Sequence, residues 1–273
     1  MKLSFTISTL NYPDEVKSKL LNINSINIDE NVNSDYTFFD IYIDSSGYCN
    51  LKKSLADIIA EIVLDNLEVN IVDDIIKHKY CQFNNEERKK IEQFTLDHLR
   101  KRDKLLQKIN IISRLLQYLN KYKNLNIEGF VRFRLKDYVQ QLKLAVDRAV
   151  DDLLVEKEYN EFIDLLKYFI DIQQPQIPLV HIIKDEDGKT FKILDDQENI
   201  IQTEYMEGYI AELMDGEVKY EDLLVSALIN ISPGEIILHF NDQEIENTIK
   251  NIFEDKVTVC SGCNICQNKE KNT

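Results

Sequence analysis

The fold class is decided by residues 128–175, which read EGFVRFRLKDYVQQLKLAVDRAVDDLLVEKEYNEFIDLLKYFIDIQQP. Apolar residues recur in this stretch every three or four positions, a spacing that places their side chains on one face of an α-helix. That face comprises Leu135, Tyr138, Leu142, Val146, Ala149 and Leu153. A second helix is predicted over 159–173, because Pro175 and Pro178 cannot continue it. This part of the chain is therefore predicted to be helical.

The same helical period extends back to residue 50. One apolar stripe begins at Leu51, and another runs over residues 105–119. Asn84 followed three residues later by Glu87 is typical of a capping box at the start of a helix. Residues 50–173 are therefore predicted to form a helical bundle.

Both flanks of the bundle mix strand and helix patterns. Alternating segments at 2–8 and 36–44 predict two strands before it. After it, we expect a hairpin with its tip at 185–188, helices near 203–214 and 220–231, the strand EIILHF, a helix over 242–253 and the strand KVTVC.

These patterns predict an α+β fold that is predominantly helical, with a central bundle flanked by two small α/β portions. The predicted division is an N-terminal α/β portion at 1–49, a basic helical bundle at 50–173, a C-terminal α/β portion at 174–260 and a cysteine-bearing tail at 261–273.

Composition excludes several classes of protein. Seven glycines in 273 residues leave little material for a glycine-rich cofactor loop. The tripeptide at 188–190 resembles the end of a phosphate-binding loop, but Ile183 stands where that loop needs its first glycine. Apolar runs are shorter than the ~20 residues that cross a bilayer, and the first residues lack a signal-peptide pattern. We therefore expect a cytoplasmic protein without a membrane-spanning segment.

The net charge of −15 opposes simple binding to nucleic acid, but the charge is unevenly distributed. Residues 84–148 contain 16 Lys and Arg against 8 Asp and Glu, including all seven arginines of the chain. Acidic flanks that fold back on this stretch, or solvated helix faces, would account for the pattern. The alternative is an anionic partner such as nucleic acid, a phosphate ligand or another protein, bound by Arg132, Arg134 and Lys136.

Three cysteines lie close together in CSGCNIC, at Cys260, Cys263 and Cys266. In a cytosolic chain this spacing favours zinc or an iron–sulfur centre, with a thiol–disulfide or sensing role and an inert tail as alternatives. The segment supplies three ligands, so a fourth must come from elsewhere.

Topology suggests where the fourth ligand lies. If EIILHF and KVTVC are parallel neighbours, His239 and Cys260 meet at one edge of the sheet. His239 is therefore the first candidate for an outside ligand, ahead of Cys81 and Cys49, and the alternative is that His239 is a core histidine with its hydrogen bonds satisfied. The other histidines, including His181, have no neighbouring motif and are expected to be structural or exposed.

Several segments together resemble a known family. Residues 128–175, the hairpin after them, DLLVSALINISPGEIILH at 222–239 and the terminal CSGCNIC are similar to the YtxC-like family of sporulation proteins in endospore-forming Firmicutes. The resemblance covers about the second half of the chain. It implies a cytosolic protein associated with sporulation, and it implies no particular activity, cofactor or catalytic residue.

Three hypotheses follow. The first is a non-enzymatic, sporulation-associated protein whose terminal cysteines hold a structural or sensing metal. The second is a binding module that uses its basic helices to hold an anionic partner. The third is an enzyme built around an iron–sulfur centre with an open coordination position.

Overall fold

A computed structural model describes residues 2–24, 26–43, 48–184, 191–201 and 220–266. The chain divides into two compact units, Met1–Glu156 and Lys157–Thr273. Three predicted features lie outside the described residues: the hairpin tip at 185–188, the helix at 203–214 and most of the cysteine-bearing tail.

The N-terminal unit combines one sheet with a set of helices. Its elements are β1 (Lys2–Thr9), α1 (Pro13–Leu21), β2 (Ile26–Asn33), β3 (Tyr36–Ile43), α2 (Tyr48–Ile62), a π-helical turn (Val63–Leu67), α3 (Glu68–Lys79), α4 (Asn85–Arg100), α5 (Lys104–Leu119), β4 (Asn124–Asn126), α6 (Ile127–Arg134) and the first part of α7 (Lys136–Ile172). The strand order is β2-β3-β1-β4, with β4 parallel to β1 and the other pairs antiparallel.

Alternation along the strands builds the core of this unit. Phe39 and Ile41 of β3, with Phe5 and Ile7 of β1, are fully buried on one face of the sheet. The helices contribute Leu55, Ile59, Ile91, Leu115, Leu142 and Val146 to the same apolar cluster. The predicted capping box is confirmed, because the Asn84 side chain accepts from the N–H groups of Glu86 and Glu87.

The long helix differs from the sequence-based expectation. The pattern suggested separate helices before and after residue 158, but α7 continues without a break through Lys136–Ile172. No glycine or proline interrupts this range, so nothing in the backbone ends the helix. The break lies instead at Leu135, which separates α6 from α7.

The C-terminal unit is a small α/β layer. After the last part of α7 come β5 (Ile177–Lys184), β6 (Phe191–Leu194), α8 (Tyr220–Ile231), β7 (Pro233–Leu238), α9 (Gln243–Phe253), a 3-10 turn (Glu254–Lys256) and β8 (Val257–Val259). The strand order is β6-β5-β7-β8. Strand β5 pairs antiparallel with β6 and parallel with β7, and β7 pairs parallel with β8. The predicted parallel strand–helix–strand unit is confirmed.

One face of this second sheet is buried against the apolar cluster of the unit, and His181 lies on the other face. Val180 and Ile182 of β5, with Ile236 and Leu238 of β7, are fully buried in the apolar cluster of the unit. Helix α9 adds Ile245, Ile249, Ile252 and Phe253 to that cluster. His181 alternates with the buried residues of β5 and therefore lies on the opposite face.

The observed elements confirm the predicted α+β, predominantly helical fold. Among the described residues, no helix combines the length and the apolar character that crossing a membrane requires.

Candidate metal centre

The ends of two parallel strands set the position of the candidate site. The backbone N–H of His239, directly after β7, donates to the carbonyl of Ile182 at 2.8 Å. The N–H of Cys260, directly after β8, donates to the carbonyl of Leu238 at 2.9 Å. Both residues therefore lie at the carboxyl edge of the sheet, as the topological argument predicted.

The chain turns sharply after Cys260. Gly262 has a φ of +124°, a conformation that L-residues with side chains rarely adopt. Its N–H lies 3.4 Å from the Cys260 sulfur and donates to it. Residues 264–266 then form a helical turn, so Cys263 and Cys266, three residues apart, present their thiols to the same side.

The three sulfur atoms and one imidazole nitrogen converge. The Cys266 sulfur lies 3.8 Å from that of Cys260 and 3.9 Å from that of Cys263. His239 Nδ1 lies 3.3 Å from the Cys266 sulfur and 3.5 Å from the Cys263 sulfur. The four ligand atoms all lie within 4.8 Å of one another.

Four of the six separations, namely the two sulfur–sulfur and the two nitrogen–sulfur distances just given, are close to the edges of a tetrahedron around one ion. With metal–sulfur and metal–nitrogen bonds of about 2.3 and 2.0 Å, tetrahedral ligands lie about 3.8 Å apart for two sulfurs and about 3.5 Å apart for sulfur and nitrogen. The donor set of three thiols and one imidazole is one that zinc accepts. The residues present therefore fit a single four-coordinate metal ion.

Burial and local dipoles affect the thiols unequally. His239 is 8% exposed, and the three cysteines are half-buried. The pKa of the Cys263 thiol is lowered, chiefly because the backbone N–H of Cys266 donates to it. The pKa of the Cys266 thiol is raised by its burial and by the adjacent thiols of Cys260 and Cys263. A cation at the centre would favour the thiolate form of all three.

A second histidine, His181, contacts the ring of His239. The residues around His181 in the sequence do not indicate a role in the site. His181 Nδ1 lies 2.9 Å from His239 Nε2, on the side of the ring away from the thiols. Metal-binding histidines commonly have their second nitrogen fixed by such a partner. The register of β5 and β7 accounts for this contact. Ile182 of β5 pairs with Leu238 of β7, so His181 and His239 lie on the same face of the sheet, opposite the core.

Of the two other candidate ligands, Cys81 is not part of this group. Cys81 is an exposed residue of the N-terminal unit, between α3 and α4. The side chain of Cys49 lies outside the described part of the chain. The four ligand atoms that converge all belong to the C-terminal unit.

The three candidate anion-binding residues are divided between two cavities. Arg134 and Lys136 line one cavity of ≈ 510 Å³. Arg132 lines another of ≈ 740 Å³, together with Lys79 and Lys143. Arg132 and Arg134 are two residues apart on α6 and so point to opposite sides of that helix.

A family model described as the YtxC-like family matches residues 53–258 of this chain, well over half of its length. The chain belongs to the YtxC-like family. The matched range contains His181 and His239 and ends two residues before Cys260.

A relative in Bacillus subtilis (strain 168), named "Uncharacterized protein YtxC", is 31% identical over 135 residues. The aligned region covers 48% of this chain and 46% of that protein, so the match spans just under half of the curated relative. No solved structure matches this chain.

Proposed function

We propose that His239, Cys260, Cys263 and Cys266 bind one zinc ion in a closed, structural site. The observation that supports this proposal is the convergence of their four ligand atoms within 4.8 Å, at separations suited to a tetrahedral ion. Structural zinc sites use four protein ligands, and Cys₃His is one of the ligand sets they use.

The geometry favours zinc over an iron–sulfur cluster. In a cubane cluster each thiolate binds a different iron and points outward, so the cysteine sulfurs stand well apart. Here the Cys266 sulfur is within 3.9 Å of both other sulfurs, a spacing that suits ligands of the same ion.

The same geometry favours a structural role over catalysis. Catalytic zinc sites have three protein ligands and keep a fourth position for water or substrate. Four side chains already surround the proposed ion, so the site has no such position. We therefore favour a non-enzymatic protein, in which the metal fixes residues 260–266 against the end of β7.

The biological setting is part of the proposal and rests on family membership. The resemblance to sporulation proteins of Firmicutes supports a cytoplasmic role during sporulation. In the natural host, a chromosomal triple Cys→Ser variant is expected to lower the yield of heat-resistant spores. An unchanged yield would refute the sporulation role and leave the metal site to be judged by metal analysis.

Metal analysis of the anaerobically purified chain tests the site itself. We expect about one zinc per chain, little iron and no visible absorption band. The triple variant C260S/C263S/C266S should lose the zinc, whereas C81S, which removes an exposed cysteine outside the group, should retain it.

Two results would overturn the assignment. One is less than a tenth of an equivalent of zinc after reconstitution with Zn²⁺. The other is bound iron with a visible charge-transfer band, which would favour the iron–sulfur alternative. Because the triple variant could fail to fold, the single variant Cys263→Ser should be measured as well, with circular dichroism to verify its helix content.

A further inference from the structure

A second surface, on the N-terminal unit, is rich in cations without acidic partners. All four lysines of α3 and α5 are paired: Lys77 with Asp73, Lys79 with Asp147, Lys104 with Asp65, and Lys108 with Asp57. By contrast, among the described residues no carboxylate lies within 4.0 Å of the charged groups of Lys121, Arg134 or Lys136. These cations are therefore available to an anion from outside the unit.

Two acids lie near these cations in sequence, Asp137 and Glu128. Asp137 forms an ion pair with Arg114. Glu128 Oε1 accepts from the Thr9 hydroxyl at 2.7 Å and from the N–H of Leu10 at 2.8 Å. These bonds hold Glu128 against the end of β1. Among the described residues Glu128 forms no ion pair with Lys121, Arg134 or Lys136, and its Oε2 is buried without a hydrogen-bond partner.

The three cations line two neighbouring cavities that have lining residues in common. A cavity of ≈ 250 Å³ is lined by Lys121 and Tyr122, among others, and one of ≈ 510 Å³ by Phe133 and Lys136. Tyr118, Phe130 and Arg134 line both cavities. We call the surface around these two cavities the basic groove and define it as Tyr118, Lys121, Tyr122, Phe133, Arg134 and Lys136.

Exposed aromatic rings alternate with these cations. The side chains of Tyr122 and Phe133 are 49% and 64% exposed, unusually high for rings of this size. The rings of Tyr118 and Tyr122 lie 4.8 Å apart, and the Arg134 guanidinium carbon lies 6.0 Å from the centre of the Tyr118 ring. Flat rings beside cations are the arrangement on which nucleic-acid bases stack.

The centre of the groove is held in position. Arg114 donates from Nη1 to the backbone carbonyl of Arg134 at 2.9 Å. Its Nη2 forms an ion pair with Asp137 at the start of α7. These bonds fix the junction of α6 and α7, so the Arg134 side chain extends from an anchored backbone.

The charge of the whole chain does not oppose binding at this surface. Residues 1–156 carry 23 Lys and Arg against 24 Asp and Glu, so this unit is close to neutral. Exposed charges more than about 10 Å away are largely screened at 0.1 M salt. The local cations therefore dominate the field that an approaching phosphate experiences.

We propose that the basic groove binds single-stranded nucleic acid. The cations would contact the phosphates, and the exposed rings would stack with unpaired bases. In a duplex the base faces are stacked on one another and cannot contact the rings. A phosphopeptide or a small phosphate ligand has no unpaired bases that could stack on the two exposed rings. The residues of the basic groove belong to the N-terminal unit, and none of them is a ligand of the proposed metal centre.

Fluorescence anisotropy with labelled 20-mers of dT and of U tests the proposal on the full chain. Three phosphate contacts predict a slope of about −2 in log K against log salt, an affinity loss of about 20-fold between 50 and 200 mM salt. Arg134→Gln should reduce the steepness of the slope by about 0.7. Tyr122→Ala should weaken binding about tenfold without changing the slope.

A matched pair of lysines controls for charge. Lys136→Gln should weaken binding, whereas Lys143→Gln should not, because Lys143 is exposed on the same helix but lines the separate cavity with Arg132. Circular dichroism of each variant verifies that it folds. Tight binding of either the dT or the U strand supports the proposal.

Four results would overturn it. They are no binding at 50 mM salt, equal losses in the two lysine variants, a duplex bound as tightly as the single strands, or no effect of Tyr122→Ala. The last result would indicate recognition of phosphate alone, as expected for a phosphoprotein or a small phosphate ligand.

Discussion

Replacing His181 by alanine should weaken metal binding, although His181 is not itself a proposed ligand. For His239 Nδ1 to face the ion it must lack a proton, so the proton of the neutral ring is carried by Nε2. That Nε2–H then donates to His181 Nδ1, 2.9 Å away. Alanine removes the acceptor, which frees the imidazole ring to rotate and to change tautomer.

The size of the effect follows from similar supporting contacts in other metal sites. Loss of such a partner typically costs 10–100-fold in affinity, or about 1.4–2.7 kcal/mol. His181 is only partly buried, so its removal should leave the apolar cluster of the C-terminal unit intact. We therefore expect a folded protein that releases Zn²⁺ more readily.

Competition for Zn²⁺ with a chromophoric chelator measures this change. His181→Asn is the conservative variant, because its Oδ1 can occupy the position of the imidazole Nδ1 and should recover part of the affinity. His98→Ala, which alters a histidine of the N-terminal unit, is the control and should bind as the wild type. An affinity of His181→Ala within twofold of wild type would refute the positioning role, as would equal losses in the alanine and asparagine variants.

Two further predictions concern the stability of the N-terminal unit. Hydrogen bonds from Lys19 and then Lys108 lower the pKa of Glu61 below its ordinary value of 4.5, so its stabilising effect is present above that pH and is lost as the pH falls through the folded-state pKa. Glu61→Gln should therefore lower the free energy of unfolding, measured in urea, by up to about 1 kcal/mol at pH 7 and by almost nothing at pH 3. Equal decreases at the two pH values would contradict this prediction. Tyr138→Phe removes the hydroxyl that donates to Glu68 in a largely buried pair, which should lower the unfolding free energy by about 1.5–3 kcal/mol at pH 7, and an unchanged urea midpoint would be inconsistent with that.

Helices and buried strands were predictable because their apolar periods are strong. The parallel arrangement of β7 and β8 followed from two short apolar strands separated by one helix. Strand β2 was missed because INIDENVN lies at a sheet edge and is mostly exposed, so its apolar alternation is short and is interrupted at Glu30. The continuity of α7 was missed because the apolar face drifts around a helix of 37 residues.

The candidate site was predictable to the extent that it depends on local spacing and on strand order. The spacing of the three cysteines indicated metal chemistry, and the shared sheet edge indicated His239. The role of His181 depends on the exact register between β5 and β7, which no local pattern in either strand specifies. Arg132 and Arg134 were predicted together as anion-binding residues because they are close in sequence. They lie on opposite sides of α6 and line different cavities.

The distribution of charge explains why the two proposals concern opposite kinds of ligand. Residues 157–273 contain 10 Lys and no Arg against 24 Asp and Glu, a field that attracts metal cations and repels phosphate. Residues 1–156 are nearly neutral overall, and they place beside exposed rings several cations that have no acidic partner in the described part of the chain. A zinc site therefore suits the C-terminal unit, and a polyanion suits the groove of the N-terminal unit. Because different residues and different fields support the two sites, removing the metal should leave nucleic-acid affinity unchanged, and Arg134→Gln should leave zinc content unchanged.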